Sequence, residues 1–572
     1  MFDPQSLTFS WRSITLGGLV PLIDGTEPAC QSPEVSEWRV CWQLDCGTFI
    51  LEIEAAEPLK LRCRVEGYTA SLASIGIRFA AAKGVRHYLR NGYQSWDGSF
   101  FVAPGTPPGD GPPGKAPTLG FAMTALLPQG YGALVLGFTR HDRFQSRFRF
   151  GGTAETMAID VETLLDRTGA TEGEPLVLFE NDDVESALRR WSQIVAGESP
   201  MTPRTPDRRI TGWCSWYNHY AMIDETVLRA ELASCTAFRD SLDVPLDVFQ
   251  IDDGFTPEMG DWLDTRAQFP VGMQPLLAEI AAAGFIPGLW IAPFMVGNRS
   301  KLYAAHPDWV VQDIAGGPLV QMQFYGEFRW HKRSEEYYIL DVTHPQAAAY
   351  IGEVFRIWTQ DWGAGYFKTD FMLFGSEYGP DRAVWHENGL SRIAVWRRMA
   401  AIIRENIGEA LWLGCGCPLW ASVGYVDAVR IGRDIGVSWH GEYSAESLLR
   451  DLATRNHANG VLWQADPDCI LLRARFHELN DVQIDSLARL GAAAGGVLMT
   501  SDTLAELPRE RAALFARLLR EPAKPCRFEL GWGDHALVYR QGDRAGWGFN
   551  LRDEPAVRHG RSVGPYATER LP

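Results

Sequence analysis

Residues 365–371 read Gly-Tyr-Phe-Lys-Thr-Asp-Phe. The pattern predicts a short buried strand in which Lys368 and Asp370 share one face, because side chains alternate along a strand. An ammonium group beside a carboxylate favours the ionised carboxylate that a nucleophile requires. The segment Arg430-Ile-Gly-Arg-Asp434 presents a second carboxylate in the same way further along the chain. Two carboxylates at two strand ends are the minimum that glycoside hydrolysis needs.

Strand-like apolar runs alternate with helical stretches from Ile210 onward, and this alternation by itself predicts an α/β domain. Most of the strand candidates begin about 30 to 50 residues apart, as the β/α units of a barrel do. The sixth and seventh candidates are too close together for a full helix between them. The eight candidates are 210–217, 246–253, 284–293, 337–342, 365–371, 410–416, 428–434 and 461–468.

Both flanks of this region have the pattern of antiparallel β-structure. Residues 1–195 contain short alternating runs separated by Gly, Pro and Asp turns, which predicts an N-terminal β-sandwich domain. This domain ends in an amphipathic helix over 184–195, with Asp182 or Asp183 as its N-cap. The proline-rich residues 196–209 predict a linker. Residues 210–522 then form the catalytic region, and 523–572 predict a small C-terminal antiparallel β region with a hairpin.

Composition excludes several classes of function. The 572-residue chain carries a net charge of −17, which argues against a nucleic-acid partner and against an anionic membrane. The sequence shows no signal-peptide pattern and no apolar run near the roughly 18 residues of a membrane span. Ten scattered cysteines form neither a CxxC framework nor a zinc spacing. A reduced, cytoplasmic protein without a metal or an organic cofactor is therefore predicted.

Polar and aromatic residues gather at the predicted carboxyl ends of the strands, where the active-site rim of a barrel lies. A single Asp in such a place is explained equally well as the cap of the next helix. An Asp pair, a Lys-x-Asp and an Arg-x-x-x-Asp would need three separate explanations, which favours an active site. The strand-end residues are Asp252, Asp253, Trp290, Lys368, Asp370, Cys415, Arg430, Asp434, Asp466 and Asp468.

A collinear series of motifs over roughly 210–502 resembles glycoside hydrolase family 36, most closely its bacterial and archaeal-type α-galactosidases. The resemblance implies a central (β/α)8 TIM barrel. The loop Asn91-Gly-Tyr-Gln-Ser-Trp96 resembles a family loop that reaches the active site from the neighbouring domain. The other motifs begin at Gly212, Phe249, Gly260, Gly284, His306, Tyr366, Leu413, Val426 and Asp466.

The resemblance implies a role for each residue that matches a family motif. Asp370 matches the nucleophile and Asp434 the acid/base. Asp252 and Asp253 match the pair that binds the 4- and 6-hydroxyls of galactose. The remaining implied substrate-binding residues orient the carboxylates or line the sugar-binding subsite, and they are Lys368, Arg430, Trp96, Trp216, Trp290 and Cys415.

One segment departs from the family pattern. Arg433 stands where close relatives often carry Pro, and Ile435-Gly-Val-Ser-Trp439 replaces the usual Ala-Pro-Tyr/Phe-Trp. Because this segment surrounds the implied acid/base, the departure bears on the leaving group that is accepted and not on the catalytic pair.

The predicted function is a retaining α-galactosidase that removes terminal α-D-galactosyl residues from galacto-oligosaccharides of the melibiose and raffinose type. A proton donor to the leaving group must hold its proton near neutral pH, so we expect Asp434 to be buried. Three relatives acting on other sugars stay open: an α-N-acetylgalactosaminidase, a β-L-arabinopyranosidase and a galactosyl transferase. A non-catalytic sugar-binding protein is the alternative outside the enzymes. The predicted partner is a small-molecule α-galactoside, and oligomerisation is left open.

Overall fold

The computed structural model describes residues 2–107, 109, 116–153, 155–323, 332, 334–475, 478–493, 495–521, 526–529, 536–541, 544–558 and 560–571. Within these ranges no helix combines the length and the apolar character that a membrane crossing requires.

The N-terminal region forms two antiparallel sheets, as the alternating sequence pattern predicts. The first sheet has the strand order β1-β2-β3-β8-β15-β14-β11 and the second β10-β9-β12-β13-β16-β7-β6-β5-β4. The strands are β1 (Phe2–Asp3), β2 (Thr8–Ser10), β3 (Thr15–Ile23), β4 (Glu34–Ser36), β5 (Arg39–Leu44), β6 (Gly47–Glu54), β7 (Leu59–Glu66), β8 (Ser74–Lys83), β9 (Val85–Arg90), β10 (Phe100–Val102), β11 (Leu119–Phe121), β12 (Met123–Pro128), β13 (Ala133–Phe138), β14 (Gln145–Gly152), β15 (Met157–Leu164) and β16 (Leu176–Asn181).

The centre of the second sheet, at β12 and β13, is buried on both faces, because these strands are apolar at nearly every position. All six residues of β13 are buried. Leu134 and Leu136 belong to the core shared with the first sheet, whereas Ala133 and Val135 belong to the core shared with the rest of the chain. This division follows from the alternation of side chains along a strand. The second sheet thus forms a middle layer of the molecule.

The first helix, α1 (Val184–Glu198), packs on this middle layer. It begins after Asp183, whose carboxylate accepts the N–H of Ser186 at 2.8 Å, which confirms the predicted cap. Trp191 of α1 is fully buried against Gly137 of β13, where an added Cβ would lie 2.2 Å from the indole nitrogen. Glycine at 137 is therefore what lets the helix approach the strand so closely.

A parallel sheet with interleaved helices follows from Thr211. Its strand order is β28-β27-β26-β24-β19-β18-β17-β30-β29. The elements in chain order are β17 (Thr211–Cys214), α2 (Trp216–His219), α3 (Glu225–Leu242), β18 (Val248–Ile251), α4 (Met273–Ala282), β19 (Ile286–Ile291), β20 (Met295–Gly297), α5 (Lys301–Ala305), β21 (Gln312–Asp313), β22 (Val320–Gln323), β23 (Glu336–Ile339), α6 (Pro345–Arg356), β24 (Tyr366–Thr369), β25 (Ala383–Val384), α7 (Arg392–Ile407), β26 (Leu411–Gly414), β27 (Ala428–Arg430), α8 (Ala445–Arg455), β28 (Gln464–Asp466), β29 (Cys469–Ile470), α9 (Asp481–Ala493), β30 (Leu498–Thr500) and α10 (Arg509–Arg520).

Short helical turns complete this region. A π-helical turn, Ile357–Asp361, continues α6, and the 3-10 turns are Pro307–Trp309, Met372–Gly375, Trp420–Ser422, Asn456–Ala458 and Leu504–Glu506. Between β26 and β27 the chain makes only the turn Trp420–Ser422. The absence of a full helix there is what the short spacing predicted.

One predicted strand of the parallel sheet is wrong. Residues 337–342 do not join that sheet, because β23 pairs antiparallel with β20 and β22 in a separate three-stranded sheet. The run is apolar, but apolarity does not distinguish a parallel from an antiparallel buried strand. A strand that was not predicted, β30, joins the parallel sheet instead and pairs with β17. The sequence before β30 is rich in Ala and Gly, so it gives no clear strand pattern.

The two ends of the parallel order lie next to each other in the chain. β28 pairs with β27, and β29, which begins three residues after β28 ends, pairs with β30. The N–H of Val497 also donates to the carbonyl of Ala465 at 2.9 Å. The residues before β30 thus contact β28, while β30 itself pairs with β17, the first strand of this region in the chain.

The C-terminal residues form small antiparallel sheets. The predicted hairpin is confirmed, since β32 pairs antiparallel with β33; its turn residues 542 and 543 lie outside the described residues. The strands are β31 (Arg527–Glu529), β32 (Ala536–Gln541), β33 (Arg544–Asn550), β34 (Ala556–Arg558), β35 (Arg561–Val563) and β36 (Thr568–Arg570).

Arg455, at the end of α8, ties the N-terminal region to the parallel sheet. Its side chain is 2% exposed and donates to the carbonyls of Ser95 at 2.9 Å and Ile431 at 2.6 Å, and to the hydroxyl of Ser99 at 3.0 Å. It also donates to the carbonyl of Asp97. One guanidinium therefore satisfies the backbone of the loop that carries Trp96.

Arg455→Met should lower the free energy of unfolding by roughly 3 kcal/mol or more, because several buried carbonyls would lose their donor. Urea denaturation followed by tryptophan fluorescence measures the change. Arg450→Met on the same helix is the matched control, since Arg450 makes only a 3.9 Å ion pair with Glu446, and it should change stability by less than about 0.5 kcal/mol. Equal effects of the two substitutions would contradict the role assigned to Arg455.

Candidate active site

The carboxyl ends of the parallel strands bring the predicted site residues to one edge of the sheet. Trp290 on β19 pairs in register with Lys368 on β24. Arg430 on β27 pairs in register with Asp466 on β28. Asp370 lies one residue beyond β24. Trp290 and Asp370, 80 positions apart in the sequence, are thus hydrogen-bonded neighbours in the structure.

Asp370 is held by two neutral N–H donors. Its Oδ2 accepts the indole N–H of Trp290 at 3.1 Å, and its Oδ1 accepts the backbone N–H of Phe371 at 2.9 Å. The carboxylate is 8% exposed. Burial, and next the charge of Asp370, raise the pKa of Cys415 well above its usual value, so that thiol stays neutral beside the carboxylate.

Lys368 pairs with a different carboxylate from the one predicted. Its ammonium binds Asp252 Oδ2 at 2.8 Å, and Asp370 is not its hydrogen-bonding partner. Burial disfavours the charged amine, but the charges of Asp252, Cys214 and Asp370 together raise the pKa of Lys368 well above its ordinary value. The sequence argument placed both residues on one face correctly, but a long side chain reaches past its neighbour on the same strand.

Asp252 is held by several neighbours at once. Besides Lys368, its Oδ2 accepts the amide of Gln250 at 2.7 Å and lies 3.5 Å from the thiol of Cys214. Its backbone N–H donates to the hydroxyl of Ser215 at 2.9 Å. These contacts fix the carboxylate in one position, as a substrate-orienting group requires.

Asp253 has a partner that no sequence motif indicates. The ammonium of Lys332 lies 3.5 Å from Asp253 Oδ1, and both side chains are almost completely buried. Lys332 is itself anchored on the carbonyl and hydroxyl of Thr256, at 3.0 and 3.2 Å. It follows a segment without strand or helix periodicity, so sequence reasoning had no signal for it.

Arg430 is the centre of a cluster of three carboxylates. Its Nε donates to Asp466 at 3.0 Å, its Nη1 to Asp434 at 3.1 Å and its Nη2 to Asp468 at 2.9 Å. The side chains of Arg430, Asp466 and Asp468 are each at most 2% exposed. Asp466 and Asp468 were recognised at the strand end, but their role as partners of Arg430 was missed.

Asp434 is not buried as the sequence argument expected. Its side chain is 44% exposed, and Arg430 is its ion-pair partner. It lies four residues beyond the end of β27, in a turn and not in a strand. The carboxyl group is therefore open to solvent on one side.

Asp468 is a carboxylate of the cluster that also binds backbone N–H groups. It accepts N–H groups of Ile435 at 2.9 Å and Cys469 at 2.8 Å, in addition to the hydroxyl of Tyr217 and the guanidinium of Arg430. Burial raises the pKa of Asp468 to about 6 against the attraction of Arg430, and the neighbouring carboxylates contribute to the rise. Its bond to Ile435 fixes the residue that directly follows Asp434.

Trp96 reaches this edge from the N-terminal region. Its ring contacts Phe371 edge-on, with the ring centroids 5.2 Å apart. Two hydrogen bonds connect this loop to the turn after β26. The N–H of Ser95 donates to the carbonyl of Cys417 at 3.1 Å, and the N–H of Cys417 donates to the hydroxyl of Ser95 at 3.0 Å. Trp216, which begins α2, is 7% exposed and packs edge-on against Tyr220. The binding roles of both tryptophans remain predictions.

The segment that departs from the family pattern forms an anchored turn. Arg433 pairs with Glu442 at 2.6 Å and donates to the hydroxyl of Tyr443 at 3.2 Å. Trp439 is buried and donates its indole N–H to the carbonyl of Leu551 at 3.0 Å. The turn that carries Asp434 is thereby connected to the C-terminal sheets.

In the described part of the chain, no three His, Cys, Asp or Glu side chains are grouped so that they could hold a metal ion. All ten cysteines are free thiols.

Comparison with known proteins gives the same family as the motifs. Residues 231–387 match the sequence model of the Melibiase family. Curated relatives include α-galactosidase 2 of Pediococcus pentosaceus, 33% identical over 13% of this chain, and α-galactosidase C of Emericella nidulans, 26% identical over 32%. The aligned stretches span only 11% and 24% of those relatives' own lengths.

Solved structures extend the likeness to most of the chain. TtGalA, an α-galactosidase from Thermus thermophilus in complex with p-nitrophenyl α-D-galactopyranoside, superposes with a TM-score of 0.67 at 24% identity, over 88% of this chain and 98% of that one. The family 36 α-galactosidase AgaA of Geobacillus stearothermophilus superposes with a TM-score of 0.58 at 12% identity, over 94% and 79%. At these identities the likeness is one of fold.

The resemblance to glycoside hydrolase family 36 is confirmed. The Melibiase segment includes Asp252, Asp253, Trp290 and the strand with Lys368 and Asp370, but it ends before β26. The half of the site that contains Arg430 and its three carboxylates therefore lies outside the match to the family model, and its assignment rests on the motifs and the geometry.

The raised pKa of Asp468 predicts a pH dependence of stability. The folded protein holds a proton at about pH 6 that the unfolded chain, with an ordinary value of 3.8, has released. The stabilisation from that proton is present below about pH 4 and is lost as the pH rises through 6. Asp468→Asn carries no titrating group at this position. The difference in free energy of unfolding between the wild type and Asp468→Asn should therefore fall by roughly 3 kcal/mol between pH 4 and 7.

Guanidinium denaturation of both proteins at several pH values measures this difference. A difference that stays level or grows with pH would mean that Asp468 is ionised throughout in the folded state.

Proposed function

We propose that the protein is a retaining α-galactosidase that hydrolyses terminal α-D-galactosides by double displacement. The observation that carries this proposal is the pair of carboxyl groups beyond the ends of β24 and β27, two strands separated by β26: Asp370 on its two N–H donors and Asp434 on Arg430. The family match and the named α-galactosidases support it. Solved relatives were obtained with stachyose and with raffinose, so galacto-oligosaccharides are the substrate class that we infer.

Asp370 is the proposed nucleophile. The indole of Trp290 and the N–H of Phe371 hold its carboxylate without neutralising it, which leaves an oxygen able to attack the anomeric carbon. The first displacement forms a covalent galactosyl–enzyme, and water then hydrolyses it with retention of configuration.

Asp434 is the proposed acid and then base. One guanidinium, that of Arg430, serves three carboxylates, so Asp434 shares its cation with Asp466 and Asp468. In the proposed first step Asp434 gives its proton to the departing alkoxide. Because Asp434 is 44% exposed, water can reach it for the second step.

The remaining predicted residues are proposed to bind the sugar. Asp252 and Asp253, fixed by Lys368 and Lys332, would accept the 4- and 6-hydroxyls of galactose. The aromatic and small side chains around them would form the walls of the subsite: Trp96, Trp216, Trp290 and Cys415.

Fold and domain limits belong to the same proposal. We propose that the parallel sheet closes as a (β/α)8 barrel over 210–522, with the β-sandwich at 1–195, the linker at 196–209 and the C-terminal β region at 523–572. The return of β29 to β30 beside β17 supports closure. A cytoplasmic location stays a prediction.

Among p-nitrophenyl glycosides, the α-galactoside should give the highest kcat/KM, because the Asp252–Asp253 pair suits an axial 4-hydroxyl. The panel includes β-galactose, α-N-acetylgalactosamine, α-glucose and β-L-arabinopyranose. Faster hydrolysis of α-N-acetylgalactosaminide or β-L-arabinopyranoside would favour the corresponding alternative. Binding of galactose without turnover of any member would identify a non-catalytic sugar-binding protein.

Asp370→Gly should lower kcat by roughly 10³-fold or more, because no group is left to form the covalent intermediate. Azide should restore part of the activity and give the β-galactosyl azide, which NMR identifies. Asp434→Ala is the matched variant at the other carboxyl. It should slow raffinose by about 10²- to 10⁴-fold more than p-nitrophenyl galactoside, since only the former needs the proton. β-Galactose as the first product of the wild type would rule out retention.

A further inference from the structure

A cavity of about 390 Å³ lies between the N-terminal sheets and the parallel sheet. Its walls include Gln145 and Arg147 of β14, Leu119 of β11, and Leu373 and Arg433 from the turns after β24 and β27. Binding sites for small molecules commonly enclose about 300–1,000 Å³. None of the carboxylates at the proposed catalytic edge lines this cavity, and of the galactose-binding residues proposed above Trp96 alone lines it.

Chain neighbours of both proposed catalytic residues belong to its wall. Arg433 directly precedes Asp434, and Leu373 follows Asp370 by three residues. Trp96, also on the wall, contacts Phe371, whose N–H holds Asp370. The cavity therefore borders the two turns that carry the proposed catalytic residues.

The lining has the chemistry of a carbohydrate site. Aromatic rings are present at Tyr93, Trp96 and Phe121, with the rings of Tyr93 and Phe121 5.3 Å apart. Gln94, Gln145 and Arg433 on the same wall carry N–H donors, and sugar hydroxyls are suitable acceptors.

The charges of the wall favour a neutral ligand over an anion. Each guanidinium on it already has a carboxylate partner: Arg147 with Glu162 at 2.9 Å, Arg392 with Asp166 at 2.8 Å and Arg433 with Glu442 at 2.6 Å. No net positive charge is left for a phosphate or a uronate. An arginine with one carboxylate partner still has N–H groups to donate.

We propose that this interdomain cavity binds the leaving-group sugar of the substrate and that Arg433 determines which leaving groups are accepted. The ligand class is a neutral, polyhydroxylated sugar or short oligosaccharide. This inference rests on the α-galactosidase function proposed above. It gives Arg433, which directly precedes the proposed acid/base, a specificity role.

The test compares substrates that share the galactosyl group and differ in the leaving group: methyl α-galactoside, p-nitrophenyl α-galactoside, raffinose and stachyose. Methanol is a poor leaving group that is too small to fill the cavity. Arg433→Met should lower kcat/KM for raffinose and stachyose by about 10- to 100-fold, the effect of one charge-assisted hydrogen bond. Methyl α-galactoside should change by less than about twofold.

Methyl α-galactoside distinguishes the cavity from an indirect effect on the neighbouring Asp434. If Arg433→Met slows it as much as raffinose, Arg433 acts through the proton donor and the proposal is wrong. If no substrate is affected, the proposal is equally wrong. Arg229→Met, which removes a surface ion pair with Glu279, is the control and should leave all four substrates unchanged.

A second variant tests the cavity from the opposite wall. Leu119→Trp places a large ring in the cavity from β11, away from the parallel sheet, and should reproduce the selective loss on raffinose and stachyose. Circular dichroism and the melting temperature show whether the variant is folded. Unchanged raffinose hydrolysis by folded Leu119→Trp would overturn the proposal. Failure of the wild type to hydrolyse any of the galactosides would instead overturn the proposed function, and this inference with it.

Discussion

Arg430 is the charge on which the arrangement of the catalytic edge depends. Among the described residues, Lys332, Lys368 and Arg430 are buried cations that pair with carboxylates of this edge. Lys368 binds Asp252 and Lys332 lies beside Asp253, whereas Arg430 binds three carboxylates. Burying a charge is costly unless it is paired, and burial raises the pKa of Asp468 to about 6 against the attraction of Arg430. Asp468 therefore keeps its proton to a higher pH than an ordinary carboxyl does.

The N-terminal sheets complete this edge and do not simply precede it. The centre of the second sheet is buried on both faces. Trp191 of α1 packs on Gly137 of that sheet and on Trp420 of the region that carries the parallel sheet. The loop with Trp96 is held separately, because Arg455 satisfies its backbone carbonyls and Ser95 bonds to Cys417. Trp96 contacts Phe371 from this anchored loop, and the interdomain cavity lies beside it.

Sequence patterns predicted the strand type of both regions, the cap at Asp183 and the gathering of carboxylates at strand ends, because these follow from local periodicity. They failed where tertiary pairing decides. Residues 337–342 are as apolar as a barrel strand but pair antiparallel, and Lys368 reaches Asp252 because side-chain length, not strand face, selects its partner. Lys332 has no motif around it. Its contact with Asp253 exists only because the folded chain brings it there.

The partners of the four central carboxylates separate them into two kinds. Asp252 and Asp253 are each fixed by an ammonium group within the buried interior, which suits side chains that must orient hydroxyls and remain unchanged. Asp370 takes its hydrogen bonds from neutral N–H groups, and Asp434 shares one guanidinium with Asp466 and Asp468 and is 44% exposed. The ammonium of Lys368 binds Asp252, and its charge also acts on Asp370. One lysine therefore fixes a proposed sugar-binding carboxylate and at the same time lies within electrostatic reach of the proposed nucleophile.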